Sequence, residues 1–187
     1  MRAIGFCAGC PHRSTFYLLK KMKLAVAGDI GCYNLGTLPP FEAQHTMGAM
    51  GASIGVLHGM SLAGLPENRV CTIGDSTFFH AGVPALIDAV NQNVRFVLVI
   101  LDNRTTAMTG SQPPPTAGIG ACGESLQAVD IEALVRGCGV AYCGTADPYE
   151  LKDFTRAVRA AVKYSRQSGP AVVIARHPCL LDKRHQD

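Results

Sequence analysis

Short apolar runs alternate with longer amphipathic stretches along most of this chain, and that alternation predicts a fold before any single residue does. The runs at 24–27, 70–73, 96–101, 140–143 and 171–175 have the length of buried strands, and most of them close on Gly or Asp. Between them lie helical stretches: one capped by Ser14 and ending near Lys23, then 82–92, 131–137 and 149–168. Residues 42–63 carry many Gly, Ala and Met residues and predict a further helix that a neighbour or cofactor can approach closely, although glycines weaken a helix. Repeated strand-helix-strand units imply an α/β fold, a doubly wound parallel sheet with helices on both faces. Residues 104–130, with Pro113-Pro114-Pro115 and several glycines, show no period. A loop of that length inside a compact domain is read as a lid or a cover over a ligand.

Composition narrows the class. With 187 residues, 48% of them apolar, the chain can bury one real core, so a single domain over 1–187 is expected. The net charge of +3 arises without a dense basic block, because the runs near Lys20 and at Lys183-Arg184 are short. No nucleic-acid partner is expected. No charged leader precedes an apolar region, and no stretch of membrane-spanning length is free of polar interruption. The expectation is a cytoplasmic protein with no membrane partner, whose eight cysteines are thiols, metal ligands or core residues rather than disulfides.

Two polar clusters end adjacent strands and answer each other. Gly74-Asp75-Ser76 closes one run and Leu101-Asp102-Asn103-Arg104-Thr105 closes the next. Open α/β sheets bind ligands at the carboxyl ends of their strands. Asp75 offers a carboxylate oxygen, Asn103 an amide oxygen and the region of Thr105 a carbonyl, a donor set suited to Mg²⁺ completed by phosphate and water. Ser76 and Thr77 enter the following helix, where N–H groups and the dipole favour an anion. The plainer alternative for either half is a βα turn with a capping Asp or Ser. Cys7-x-x-Cys10, taken alone, fits a redox pair, half a zinc site or two buried thiols.

At these residues the chain resembles a known family. A GDG motif followed nearly thirty residues later by an Asn pair marks thiamine diphosphate enzymes, and here Gly74-Asp75-Ser76 and Asp102-Asn103 stand in those places. Ser76 replaces the second Gly and Asp102 the first Asn, departures that leave the implied metal ligands in place. The longer phrases CAGCPHR from Cys7, GDIGCYNLG from Gly28, the segment from Met50 to Gly55, GDSTFFHAG from Gly74 and LDNRTTAMTG from Leu101 resemble the thiamine diphosphate domain of the large subunit of indolepyruvate:ferredoxin oxidoreductase. The resemblance runs from about Phe6 to Cys179. It implies cofactor contacts from Gly74, Asp75, Ser76, Thr77, Asn103 and Thr105, and also from Gly28, Asp29, Gly31, Met108 and Thr109. Mg²⁺ is implied at Asp75, Asn103 and Thr105, and a role for His12 near the diphosphate or the substrate carboxylate. Cys7, Cys10, Cys32 and Cys179 match places that hold a 4Fe-4S cluster in related 2-oxoacid:ferredoxin oxidoreductases, with zinc on the same four as the alternative. Cys71, Cys138 and Cys143 read as packing residues, His45 and His58 as structural histidines on the Gly-rich helix, and His177 and His185 as tail residues; His80 is open between site and solvent, and Cys122 has no assignment.

The resemblance further implies oxidative decarboxylation of an arylpyruvate such as indolepyruvate to its acyl-coenzyme A, with ferredoxin as electron acceptor. The Glu that activates the cofactor belongs to a pyrimidine-binding domain. Glu42, Glu67, Glu124, Glu132 and Glu150 sit in no such context, so a partner domain or subunit is expected to supply it, in a heteromer. A ferredoxin-like domain is likewise expected elsewhere, and the chain alone is expected to lack turnover. Two other readings stay open: the small subunit of a non-oxidative sulfopyruvate- or phosphonopyruvate-type decarboxylase, and a non-catalytic cofactor-binding fragment.

Overall fold

The computed structural model describes residues 4–65 and 69–182; the expectations on Glu67, Lys183-Arg184 and His185 lie outside the described residues. Six strands form one all-parallel sheet: β1 (Ala25–Gly28), β2 (Thr46–Met47), β3 (Arg69–Gly74), β4 (Val97–Asp102), β5 (Tyr142–Ala146) and β6 (Ala171–Arg176), in the order β2-β1-β3-β4-β6-β5. The helices are α1 (Pro11–Lys21), α2 (Ser53–Leu62), the single turn α3 (Asp75–Thr77), α4 (Val83–Asn91), α5 (Ile131–Gly137) and α6 (Leu151–Gln167). Alternation along the strands builds two cores. Val97, Val99 and Leu101 face α1 and α6 beside Phe16, Leu19, Phe154 and Val158, whereas Leu98 and Ile100 face α2, α4 and α5 beside Ile54, Leu86 and Val135. The doubly wound parallel sheet expected from the pattern is the fold observed.

Several element bounds differ from expectation, each for a local reason. The first helix starts earlier, at Pro11, because a proline at the first position gives up an N–H that would be unpaired anyway. The expected helix over 42–63 is shorter: residues 42–52 contain the edge strand β2 and a loop, and the helix itself begins at Ser53. His45 therefore lies beside a strand, where its Nδ1 accepts the Val26 N–H at 3.0 Å. Conversely, the helix expected from Gly82 begins at Asp75 and passes through a π-helical segment, Phe78–Gly82. Pro84 sits at the start of α4 and cannot donate to the preceding turn, so widening there accommodates it. β5 starts later than predicted, at Tyr142.

Gly51 shows how tightly the loop before α2 is set. It has φ of +89°, and a Cβ there would lie 2.4 Å from the Cβ of Ala81. Gly51→Ala is expected to lower unfolding free energy by about 2–4 kcal/mol, from left-handed strain plus the clash, and a denaturant melt measures it.

Candidate cofactor site

The sheet reverses its winding between β1 and β3, and the cleft opens there. Chain leaving β1 runs outward to β2, then returns across β1 to β3, so the carboxyl ends of β1 and β3 diverge into loops on the same rim. From the first loop come Ile30, Gly31, Cys32 and Tyr33; from the second Gly74, Asp75, Ser76 and Thr77; from the end of β4 Leu101, Asn103, Thr105, Thr106, Ala107 and Met108; and His12 and Met50 complete the wall. Of the residues expected here, His12, Gly31, Gly74, Asp75, Ser76, Thr77, Asn103, Thr105 and Met108 line this cleft together. Gly28, Asp29 and Thr109 do not line it.

Asp75 is the centre of the arrangement. Its Oδ1 accepts the Ser76 N–H at 2.7 Å and its Oδ2 the Arg104 N–H at 2.9 Å, which ties the β3 and β4 loops together. Only 2% of its surface is exposed, and burial first, then the neighbouring Asp102 carboxylate, push its pKa up to about 8. Asp102 is held in turn by Arg176, Nε to Oδ2 at 2.6 Å. A cation arriving beside it would favour the ionised form that burial and Asp102 oppose. Asn103 Oδ1 meets only a long contact of 3.4 Å from the Thr105 N–H, so its amide oxygen remains available as a second donor.

Tyr33 is a wall that sequence reasoning did not assign. Its hydroxyl donates to the Ile30 carbonyl at 2.8 Å, and its ring packs so closely on Gly74 that a Cβ there would meet it at 2.9 Å. Burial raises the phenol's pKa, so the ring stays neutral. The only signal available was its position directly after Cys32 in the β1 loop. Met50 and Ala107 were also unassigned, and an apolar residue in a loop gives no chemical signal.

Behind the cleft lies a second cavity, lined by Cys7, Cys10, Cys32 and Cys179 together with Phe6, Leu35, Leu180 and Leu181. His12, Cys32, Asn103 and Ala107 face both cavities. The chain thus gathers four thiols from three separate segments. Burial pushes Cys10 up to about 11, with the other three thiols adding to the effect, and burial likewise raises Cys32. Among the described residues no three His, Cys, Asp or Glu side chains converge closely enough, as placed, to hold a metal ion. His12 is buried, and that burial pushes its pKa down to about 4, so the imidazole is neutral between the two cavities.

The remaining predicted residues fall outside both cavities. Asp29 accepts from the N–H groups of Ile30, Gly51 and Ser53, a clamp between the β1 loop and the start of α2. His58 pairs with Asp88 at 3.1 Å, a structural role, and His80 is exposed. His177 is no loose tail residue: it pairs with Asp147 at 2.9 Å and its N–H reaches the Asp102 carbonyl. Cys71 is fully buried, Cys138 and Cys143 pack against the core, and Cys122 is exposed. No helix among the described residues is long and apolar enough to cross a membrane.

Comparison with known proteins agrees with this geometry. Residues 29–175 match the family described as thiamine pyrophosphate enzyme, C-terminal TPP binding domain. Indolepyruvate oxidoreductase subunit IorA of Archaeoglobus fulgidus is 47% identical over 180 residues, covering 94% of this chain and 28% of that protein. The same subunit of Methanothermobacter marburgensis is 44% identical over 97% of this chain and 30% of its own length. The chain therefore spans less than a third of these relatives. Among solved structures, the 2-oxoglutarate:ferredoxin oxidoreductase from Magnetococcus marinus, with 2-oxoglutarate, coenzyme A and succinyl-CoA bound, superposes with a TM-score of 0.78 at 18% identity, over 95% of this chain and 65% of that one. That likeness is one of fold.

Proposed function

Since the chain belongs to the C-terminal TPP-binding domain family of thiamine pyrophosphate enzymes, we propose that it is the diphosphate- and magnesium-binding part of a ferredoxin-linked oxidoreductase that decarboxylates an arylpyruvate of the indolepyruvate type to an acyl-coenzyme A. The observation that carries this reading is the cleft at the switch point, with Asp75 joining the β3 and β4 loops, set against a cavity of four thiols.

The oxygen donors at the strand ends suit Mg²⁺ and a diphosphate, and the four thiols share one cavity although they do not converge on a single point. Asp75, Asn103 and Thr105 would hold Mg²⁺, and Gly74, Ser76 and Thr77, at the start of a helix, would receive the diphosphate. Gly28, Asp29, Gly31, Met108 and Thr109 belong to the same proposal, Gly31 and Met108 from the cleft lining and Gly28, Asp29 and Thr109 from outside it. When bound, thiamine diphosphate supplies a carbanion able to attack the ketone of a 2-oxoacid and to accept the electrons released with carbon dioxide. Tyr33 and Met50 would exclude water from that chemistry. Neutral His12, reaching both cavities, would hydrogen-bond the substrate carboxylate without carrying a charge. Cys7, Cys10, Cys32 and Cys179 would hold a 4Fe-4S cluster, for which four thiolates are the usual set. A partner domain or subunit supplies the Glu for the aminopyrimidine, so the chain by itself is expected to show no turnover.

Anaerobic purification followed by iron and acid-labile sulfide analysis, with calorimetric titration of Mg²⁺ and thiamine diphosphate, tests the reading. About four irons per chain and magnesium-dependent binding are expected. Cofactor binding without iron moves the reading to a non-oxidative decarboxylase, and steady oxidation of indolepyruvate by the chain alone contradicts the need for a partner.

A further inference from the structure

Every cation of α6 falls on one stripe. Lys152, Arg156, Arg159, Lys163 and Arg166 recur at i, i+4, i+7, i+11 and i+14, and all are exposed. At 1.5 Å per residue the stripe runs about 21 Å. Helix stability does not account for it. Against five cations α6 carries one acid, Asp153, which pairs with Arg156 at 2.9 Å. Lys152, Arg159 and Lys163 make no ion pair among the described residues. Like charges three and four residues apart oppose a helix, and Lys152 in the first turn opposes the helix dipole.

The positive charge is also one-sided. On the same face of the sheet α1 adds Arg13, Lys20 and Lys21, whereas on the opposite face α2 and α4 carry no Lys or Arg and α5 carries only Arg136, which pairs with Glu132 at 2.8 Å. Moreover, the stripe begins at the thiol cavity. Tyr149, two residues before α6, donates its hydroxyl to the Gly9 carbonyl inside the Cys7–Cys10 turn, and its ring lies 3.9 Å from that of His177. A body lying along α6 therefore has one end beside the four thiols.

We propose that the cationic stripe of α6 is the docking surface for an acidic protein, the one-electron carrier that serves the thiol-lined cavity. This rests on the oxidoreductase reading given above. Opposite charge along such a face steers encounter and fixes orientation more than it adds affinity, which suits a carrier that must bind and leave. Its position beside the cysteines favours such a carrier over a polyanion, which has no use for that cavity.

The test uses the whole chain and an acidic bacterial-type ferredoxin as probe, with affinity measured at low and at raised ionic strength. Lys152→Glu/Arg159→Glu/Lys163→Glu is expected to weaken ferredoxin binding about tenfold or more at low salt, with the difference shrinking as salt is raised. A control, Asn91→Glu/Gln92→Glu at the opposite face, is expected to bind as wild type does. Equal affinity in the triple variant and wild type overturns the proposal. So does wild-type affinity for heparin or anionic phosphatidylserine vesicles equal to that for ferredoxin. Should the triple variant fail to fold, Lys163→Gln alone is read, with about a twofold weakening expected. Titration of Mg²⁺ and thiamine diphosphate in the same samples keeps the two readings separate. Ferredoxin binding that depends on the stripe in a chain that takes no cofactor removes the cofactor reading and keeps the dock; cofactor binding with stripe-independent ferredoxin binding removes the dock alone.

Discussion

Asp75→Asn is expected to weaken magnesium-dependent thiamine diphosphate binding by about a hundredfold or more, while making the cofactor-free chain more stable at alkaline pH. Both effects have one cause. The carboxyl is buried and stands beside Asp102, so its pKa rises from 3.8 to about 8. Between those values the folded chain holds a proton that the unfolded chain releases. The stabilisation linked to that proton is full below about pH 4, declines as pH rises, and is gone above about pH 8. Removing the charge removes this decline, so the stability of the Asn variant relative to wild type should grow from pH 5 to pH 8.5. A divalent cation reverses the logic, because it needs the ionised carboxylate and favours it. Magnesium affinity of the wild type should thus increase with pH up to about 8, with release of close to one proton at pH 7. Calorimetry in two buffers of different ionisation enthalpy measures that proton. Binding that is independent of pH, or unchanged in Asp75→Asn, would remove Asp75 from the metal site.

The parts of this site that a sequence displays are those whose chemistry requires particular atoms. Asp75 and Asn103 could be paired across nearly thirty residues because parallel strands that are neighbours in sequence place their carboxyl ends side by side, and β3 and β4 do so. The four cysteines were legible as a set through a resemblance, since nothing in their spacing shows that 7–10, 32 and 179 meet. What brings them together is tertiary: the Cys179 N–H bonds the Asn103 carbonyl, which folds the segment after β6 back over the end of β4. The start of α2 was misplaced because helix propensity speaks of the segment itself. It is held instead by a distant carboxylate, at Asp29. Tyr33 was missed for the same reason, as its importance lies in the absence of a side chain at Gly74, more than forty residues on. The cationic stripe of α6 is not among the features read from the sequence, because its face of the sheet and its nearness to the thiols, which give it meaning, are tertiary.

Asp29→Ala is expected to cost about 3–5 kcal/mol of unfolding free energy, a fall in melting temperature of about 10 °C. Asp29 is completely buried, and three N–H groups depend on it: Ile30 and Gly51 on Oδ1, both at 2.7 Å, and Ser53 on Oδ2 at 3.1 Å. Gly51 and Ser53 have no helical carbonyl to turn to, because they precede the first intrahelical acceptors of α2. The same clamp positions both ends of the cleft's outer wall, since Ile30 and Gly31 follow Asp29 in the chain and Met50 precedes Gly51. Asp29→Asn separates the two roles. Its amide keeps one oxygen for Ile30 and Gly51 and loses only the Ser53 bond, so it should recover more than half of the lost stability. If Asp29 serves the site through the wall, cofactor affinity should recover along with stability. If instead its charge contacts the cofactor or its metal, the Asn variant will melt close to wild type and still bind thiamine diphosphate as poorly as the Ala variant does. Thermal melts and calorimetric titration of the same two proteins decide between these outcomes, and the three backbone bonds favour the first.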